Sequence, residues 1–501
     1  MRYIHCAYGA WSFLVEEETG FVREVRYGSE RLAVAIYSAV RAPDWGTYPV
    51  AISDLRWGEA WCSWVSQAEG APFRWKTEVE VGGDGFRMSI DGTPSETFQT
   101  CRTGLCLLHP LSVCGTEVVV RHVDGSEERS VFPTLVAPHQ PFMEMAGLRY
   151  TAPSGVTVDI ALDGEVFETE DQRNWSDASF KTYCHRLGDG RPYTLQAGQR
   201  VRQEVRIRCE GEPSPTAAAG EVEATMPALL VWLDTPTVDA LLALREAEVS
   251  RVATDAPDVL SLAAEVGVAA DLRLPTDVWA QLKPFAPPAG GSVLWLVSDR
   301  WSEQAEAVVQ QLRQEWQLLG WELGYGSSAN FAELNRSRPP MNTFQWLATA
   351  ASPQVHTFDA WSILQNAESF ADIGATMRSF AGEAGLCLGP LSFESRFTGK
   401  DARADSPLAA AYLLLAIASI ASGGFHRVIA GRASQVLNEG SPVGALLRDW
   451  LRVSPRTVRY AVKGDLRVVQ FIGARGNRVY VVNPSAQEVE RIPPFTFREE
   501  A

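Results

Sequence analysis

The feature that most constrains this chain is an apolar strand followed by an amphipathic helix, repeated eight times between residues 226 and 452. The strand runs are Ala228–Leu233, Val249–Ala253, Val268–Leu274, Ser292–Val297, Trp321–Tyr325, Thr343–Ala348, Leu386–Leu391 and Arg427–Ala430. The helical stretches behind them are 236–247, 257–266, 276–285, 302–319, 329–335, 359–384, 406–421 and 442–451. Strands this apolar are buried on both faces, and helices between them imply parallel pairing. Eight such units in roughly 225 residues match the count and size of a (β/α)8 barrel. The alternative, a doubly wound open sheet, finds no Gly-x-Gly-x-x-Gly after the first strand.

The flanks read differently. Residues 1–208 carry short runs of period-two or β-branched character, such as Phe21–Tyr27, Leu32–Tyr37, Thr77–Val81, Glu117–Arg121, Thr157–Leu162 and Val201–Ile207. Gly, Asp and Ser clusters punctuate them, which predicts an all-β, sandwich-like domain. Residues 209–225 are Pro-, Ala- and Glu-rich and predict a linker. Residues 453–501 return to β character. The fold class expected is therefore multidomain α/β plus all-β. A central TIM-type barrel (226–452) is flanked by an N-terminal β-sandwich-like domain and a small C-terminal β domain.

A chain of 501 residues is too long for one ordinary core. Its net charge of −16 argues against nucleic acid or an anionic membrane as partner. The eight cysteines form no Cys-x-x-Cys pair and read as buried thiols. The apolar run Leu408–Ala421 is too short to span a bilayer. The N-terminus, with Glu16, Glu17 and Glu18 soon after it, does not read as a secretory leader. A cytoplasmic enzyme is expected. No His-x-His pair lies on a barrel strand and no Gly-x-Ser-x-Gly occurs, so catalysis without metal or cofactor and without a serine elbow is expected.

Barrel chemistry gathers at the carboxyl ends of the strands. Here these bring Asp234, Asp255, Arg273, Asp299, Ser327, Asn330, Glu333, Asn335, Arg336, His356, Glu394, Arg396 and Arg432. A second concentration lies outside the barrel, in Glu168-Thr-Glu-Asp-Gln-Arg-Asn-Trp-Ser-Asp-Ala-Ser-Phe-Lys-Thr-Tyr183. No helical or strand period runs through it, so it reads as a long loop leaving the strand Thr157–Leu162. Its aromatic residues need burial, while Arg, Asn and Gln are planar donors suited to carboxylates and sugar hydroxyls.

This run closely resembles the D-apionate lactonase family, which carries Glu-Asp-Gln-Arg-Asn-Trp-Thr-Asp-Ala-Ser-Phe-Lys-Thr-Tyr. Further pieces similar to the family are Asp44-Trp-Gly-Thr-Tyr48, Arg102-Thr-Gly-Leu105 with His109-Pro110, Pro138-His-Gln-Pro-Phe142, Phe331-Ala-Glu-Leu-Asn-Arg336 and Pro353-Gln-Val-His356. The resemblance implies hydrolysis of the five-membered lactone of a branched sugar acid. It marks Glu333 and His356 as candidate catalytic residues. Asp171, Arg173, Asn174, Trp175, Asp177, Asn335, Arg336 and Arg396 become candidate substrate-binding residues, with a small sugar lactone as the partner. The chain departs from the family pattern at two strand ends. The fifth ends Gly326-Ser327-Ser328 instead of Gly-Thr-Asp. The eighth ends Ala430-Gly-Arg-Ala-Ser434 instead of Tyr-Glu-Thr-Thr-Gly. Two other readings stay open: a glycoside hydrolase using Glu333 and Glu394 as its carboxylate pair, and a sugar-acid binder without catalysis.

Overall fold

A computed structural model of the chain describes residues 2–214, 220–275, 278, 283, 285–287, 291–327, 329–394 and 399–500. It divides into two compact units, Met1–Gln172 with Ser179–Ala217, and Arg173–Ala178 with Ala218–Ala501.

The first unit is built on a 16-stranded antiparallel sheet. Strands such as Phe73–Gly82 alternate buried and exposed side chains along almost their whole length, as one-faced burial requires. The strands Trp11–Glu16 and Gly85–Pro94 stand far apart in the strand order, yet Phe13 and Phe86 meet edge to face at 5.6 Å. Likewise Trp75 Nε1 donates to Ser38 Oγ at 2.8 Å. The sheet therefore curls until its two halves face one another across a single core. The sandwich is one continuous sheet folded over.

The run Glu168–Tyr183 differs from expectation. It forms a hairpin of two strands, Phe167–Asp171 and Ser179–Cys184, with a 3-10 turn at Gln172–Trp175. Glu168 pairs with Tyr183 and Asp171 with Phe180. Every residue of the second strand is buried, whichever face it points to. With both faces covered, no polar–apolar alternation remains to mark the strand.

In the second unit eight parallel strands close into a barrel. They are Ala228–Trp232, Arg251–Thr254, Ala269–Pro275, Val293–Ser298, Glu322–Ser327, Trp346–Ala351, Gly385–Leu391 and Arg427–Arg432. Pairing of the first strand with the eighth completes the ring. The loops after the strands are set by side-chain caps. Thr237, Ser302, Asp359, Ser406 and Ser441 each accept a backbone N–H from the first turn of the following helix. The helix expected at 276–285 lies largely outside the described residues. No described helix is long and apolar enough to cross a membrane.

Five antiparallel strands form a further sheet: Val222–Thr225, Pro455–Lys463, Leu466–Gly473, Gly476–Asn483 and Thr496–Glu500. Its first member corrects the linker reading. The last four residues of 209–225 pair with Pro455–Lys463, and the strand Val201–Glu210 takes the first two. The partner of Val222–Thr225 lies more than 200 residues away along the chain, so local composition cannot reveal it.

Candidate active site

The hairpin tip, Arg173–Ala178, is the part of the polar run that belongs to the barrel unit. Ser176 turns it with a φ of 67°. The tip is tied down residue by residue. The fully buried Arg173 guanidinium pairs with Asp372 at 2.8 Å, on the first turn of the helix Phe370–Ala381. Asn174 Oδ1 accepts from Asn335 Nδ2 at 3.0 Å. The Ala178 N–H donates to Asn366 Oδ1, and Ser369 Oγ donates to the Ser176 carbonyl. These bonds are within a buried region, where they orient groups more rigidly than on a surface.

This anchoring presents Asp177 to His356. Asp177 Oδ2 lies 2.5 Å from His356 Nδ1, while its Oδ1 accepts from Asn366 Nδ2 at 3.0 Å. A carboxylate accepts, so Nδ1 carries the proton and the basic lone pair sits on Nε2. The Trp175 ring stands edge-on to the His356 ring at 6.0 Å, and the Arg336 guanidinium lies 5.4 Å from the Trp175 ring centre. An oriented imidazole beside an aromatic face and a cation can move a proton next to a sugar-like ring.

Two adjoining cavities open at the carboxyl ends of the strands, of about 460 and 560 Å³, sharing Trp232, Pro390, Ser392 and Glu394. Arg273, Asn330, Asp255 and Lys400 line the larger one. Burial lowers the pKa of the Arg273 guanidinium, with Cys387 and Asp271 opposing that shift. Glu394 is held by Arg432 at 2.5 Å. Among the described residues no group of three or more His, Cys, Asp or Glu side chains gathers as a metal site would.

The sequence matches the model of the D-apionate lactonase N-terminal domain over residues 2–212, and that of the D-apionate lactonase TIM barrel domain over residues 297–436. The chain belongs to the D-apionate lactonase family. A relative from Brucella anthropi, named D-apionate lactonase, is 27% identical over 436 residues, which is 75% of this chain and 71% of the relative. Among solved structures, a GH36 α-galactosidase from Geobacillus stearothermophilus is 10% identical, with 96% of this chain and 91% of that one covered, at a TM-score of 0.30. A galactose mutarotase related enzyme from Lactobacillus acidophilus is 10% identical, with 43% and 100% covered, at a TM-score of 0.28. Neither of these two likenesses bears on the chemistry.

Within this family member, the candidates named from sequence separate into groups. Arg173, Asn174, Trp175 and Asp177 come together with Asn335, Arg336 and His356. Asp171 belongs to the first unit, where it is buried and its Oδ2 accepts the Ala137 N–H at 2.9 Å. Glu333 sits half-buried in the first turn of Phe331–Arg336, and neither cavity includes it, Trp175, Asp177, Arg336 or His356 among its lining residues. Glu394 does line both cavities, so Glu333 and Glu394 do not share a pocket wall. Arg396 lies outside the described residues. The divergent eighth strand end supplies Arg432, the cation that holds Glu394. Sequence reasoning placed Arg273 and Asn330 at strand ends without singling them out. The available signal was an arginine inside the otherwise apolar run Val268–Leu274.

Proposed function

We propose that this family member is a carboxylic ester hydrolase that opens a five-membered sugar-acid lactone, D-apionolactone to D-apionate being the first conversion to test. The observation that carries the reading is the Asp177–His356 pair, formed by the segment most similar to the family run. Asp177 fixes the tautomer and orientation of the ring, as an acid does behind a catalytic histidine. His356 Nε2 then removes a proton from water as the water oxygen bonds to the lactone carbonyl carbon. The imidazolium so formed returns its proton to the ring oxygen when the acyl C–O bond breaks, leaving a carboxylic acid and an alcohol. Stabilisation of the charged imidazolium by Asp177 belongs to the transition state, where it accelerates the reaction.

Trp175 offers its ring to the apolar face of the sugar, and Arg336 beside it offers donors to hydroxyls. Asn335 is bonded to Asn174 and Arg338, and Arg173 to Asp372, so both hold the tip in place. The Glu333 carboxylate, in the first turn of Phe331–Arg336, serves as a hydroxyl acceptor or a second base. An NMR time course over a panel of aldonolactones, including D-apionolactone, tests the reading. Wild-type protein is expected to open a five-membered lactone well above the uncatalysed rate. His356→Gln is expected to lose most of that rate and Glu333→Gln less. No acceleration with any five-membered lactone would overturn the proposal.

A further inference from the structure

Resting on the proposed lactone chemistry, we infer that Arg273 and Asn330 form the seat for the acyl oxygens of a polyhydroxy acid: the lactone carbonyl oxygen before ring opening and the carboxylate after it. Both side chains line the larger barrel-mouth cavity and both belong to residues only 5% exposed. Arg273 Nη1 and Asn330 Nδ2 are buried donors with no hydrogen-bond partner among the described residues. Asn330 stands at the N-cap position of Phe331–Arg336 and makes no capping bond, as is also true of Asp258 and Ser369 and unlike Thr237, Ser302, Asp359, Ser406 and Ser441. Its amide is turned away from the usual use of an asparagine at that position. The guanidinium lies along the end of the fifth strand, where a Cβ built on Gly326 would come 3.5 Å from Nη2 and 3.6 Å from Nη1. Asn330 leaves from the loop after that same strand.

The Arg273 guanidinium lies 5.8 Å from the Trp295 ring centre, but a ring is no hydrogen-bond acceptor for Nη1, and buried donors left unbonded are costly unless something supplies acceptors. Asp271, two residues before Arg273, is already bonded to Arg251 and Arg427. An acyl group brings acceptor oxygens for such donors, and a carboxylate adds the charge that the guanidinium lacks. Asp255 and Glu394 on the same cavity wall accept hydroxyl protons. The ligand class is thus an acid bearing several hydroxyls. The matching neutral polyol satisfies the carboxylate acceptors but not the buried cation.

The test uses the full chain and paired probes, D-erythronate against erythritol and D-gluconate against D-glucitol, measured by calorimetry and by thermal shift. Wild type is expected to bind each aldonate at least tenfold more tightly than its alditol. Arg273→Met is expected to weaken aldonate binding by roughly 100-fold while leaving the melting temperature at or above wild type, because an unpaired buried charge is removed. Asn330→Ala is expected to cost roughly tenfold, and Arg273→Lys to retain part of the affinity as a point charge. Equal binding of aldonate and alditol, or unchanged aldonate binding in both Arg273→Met and Asn330→Ala, overturns the seat. Arg273-dependent aldonate binding without turnover of any lactone keeps the seat and removes the lactonase reading. Lactone opening at wild-type rate in Arg273→Met, with aldonate inhibition intact, keeps that reading and removes the seat.

Discussion

Asp271 and Arg273 lie two residues apart on one barrel strand and on the same side of it, yet the barrel treats them in opposite ways. Asp271 is fully buried toward the amino ends of the strands. It accepts from Arg251 at 2.8 Å, Arg427 at 3.1 Å, Trp295 Nε1 at 3.3 Å and the Val293 N–H at 3.1 Å. Arg273, one layer higher, keeps a buried nitrogen without an acceptor among the described residues and lines a cavity. The floor of the barrel is electrostatically closed and the mouth is left open. In a (β/α)8 barrel the first arrangement maintains the fold and the second awaits a ligand.

Removing the floor carboxylate should produce the largest effect on stability. Asp271→Ala leaves two arginines facing each other in a buried space and is expected to cost about 3–5 kcal/mol, read as a lower denaturation midpoint. A loss below about 1 kcal/mol would erase the distinction between floor and mouth. At the mouth side the opposite pattern is expected. His356→Gln should lower lactone turnover by roughly 10²–10⁴-fold with the denaturation midpoint nearly unchanged. Asp177→Asn should follow it in rate, because an amide in place of the carboxylate no longer favours the charged imidazole.

A histidine outside the barrel sharpens the contrast. His109, buried in the first unit with Nε2 bonded to Thr182 Oγ1 at 2.8 Å, has its pKa pushed down to about 3 by burial. Its folded-state value is below the unfolded value of 6.5, so the unfolded chain takes up a proton that the folded chain refuses. Stability should therefore be complete above pH 6.5 and decline as pH falls toward 3, by about 2 kcal/mol between pH 6.5 and 5. His109→Gln should flatten that limb without touching turnover, as denaturation curves across this pH range would show. The smallest effect is expected from a strong chelator, which should leave turnover within about twofold. Loss of rate on chelation, restored by a divalent metal, would contradict the expectation of metal-free catalysis.

How much of this was legible in the sequence differs by region. The eight strands of the barrel were each visible from residues within a short window, because an apolar strand next to an amphipathic helix is a local pattern. The hairpin Phe167–Cys184 was not. Its polar residues are satisfied from distant parts of the chain, Asp171 by the Ala137 N–H and Glu168 by Tyr183 Oη and the Leu187 N–H. A strand buried on both faces and lined with bonded polar groups has no period to read. Its near-match to a family run marked it as important but could not separate Asp171, which holds a backbone loop, from Asp177, which holds His356.

The sequence by itself determined the architecture in outline, the family, and the segments that carry the polar site. Those properties reside in residue type and spacing along the chain. The tertiary structure alone decided which buried polar groups have partners. Arg251, Asp271 and Arg427 meet only because the barrel closes, and Arg273 Nη1 and Asn330 Nδ2 find no hydrogen-bond partner among the described residues. Whether a hydrogen bond forms depends on distances of about 3 Å between groups far apart in sequence, and a list of residues does not contain those distances.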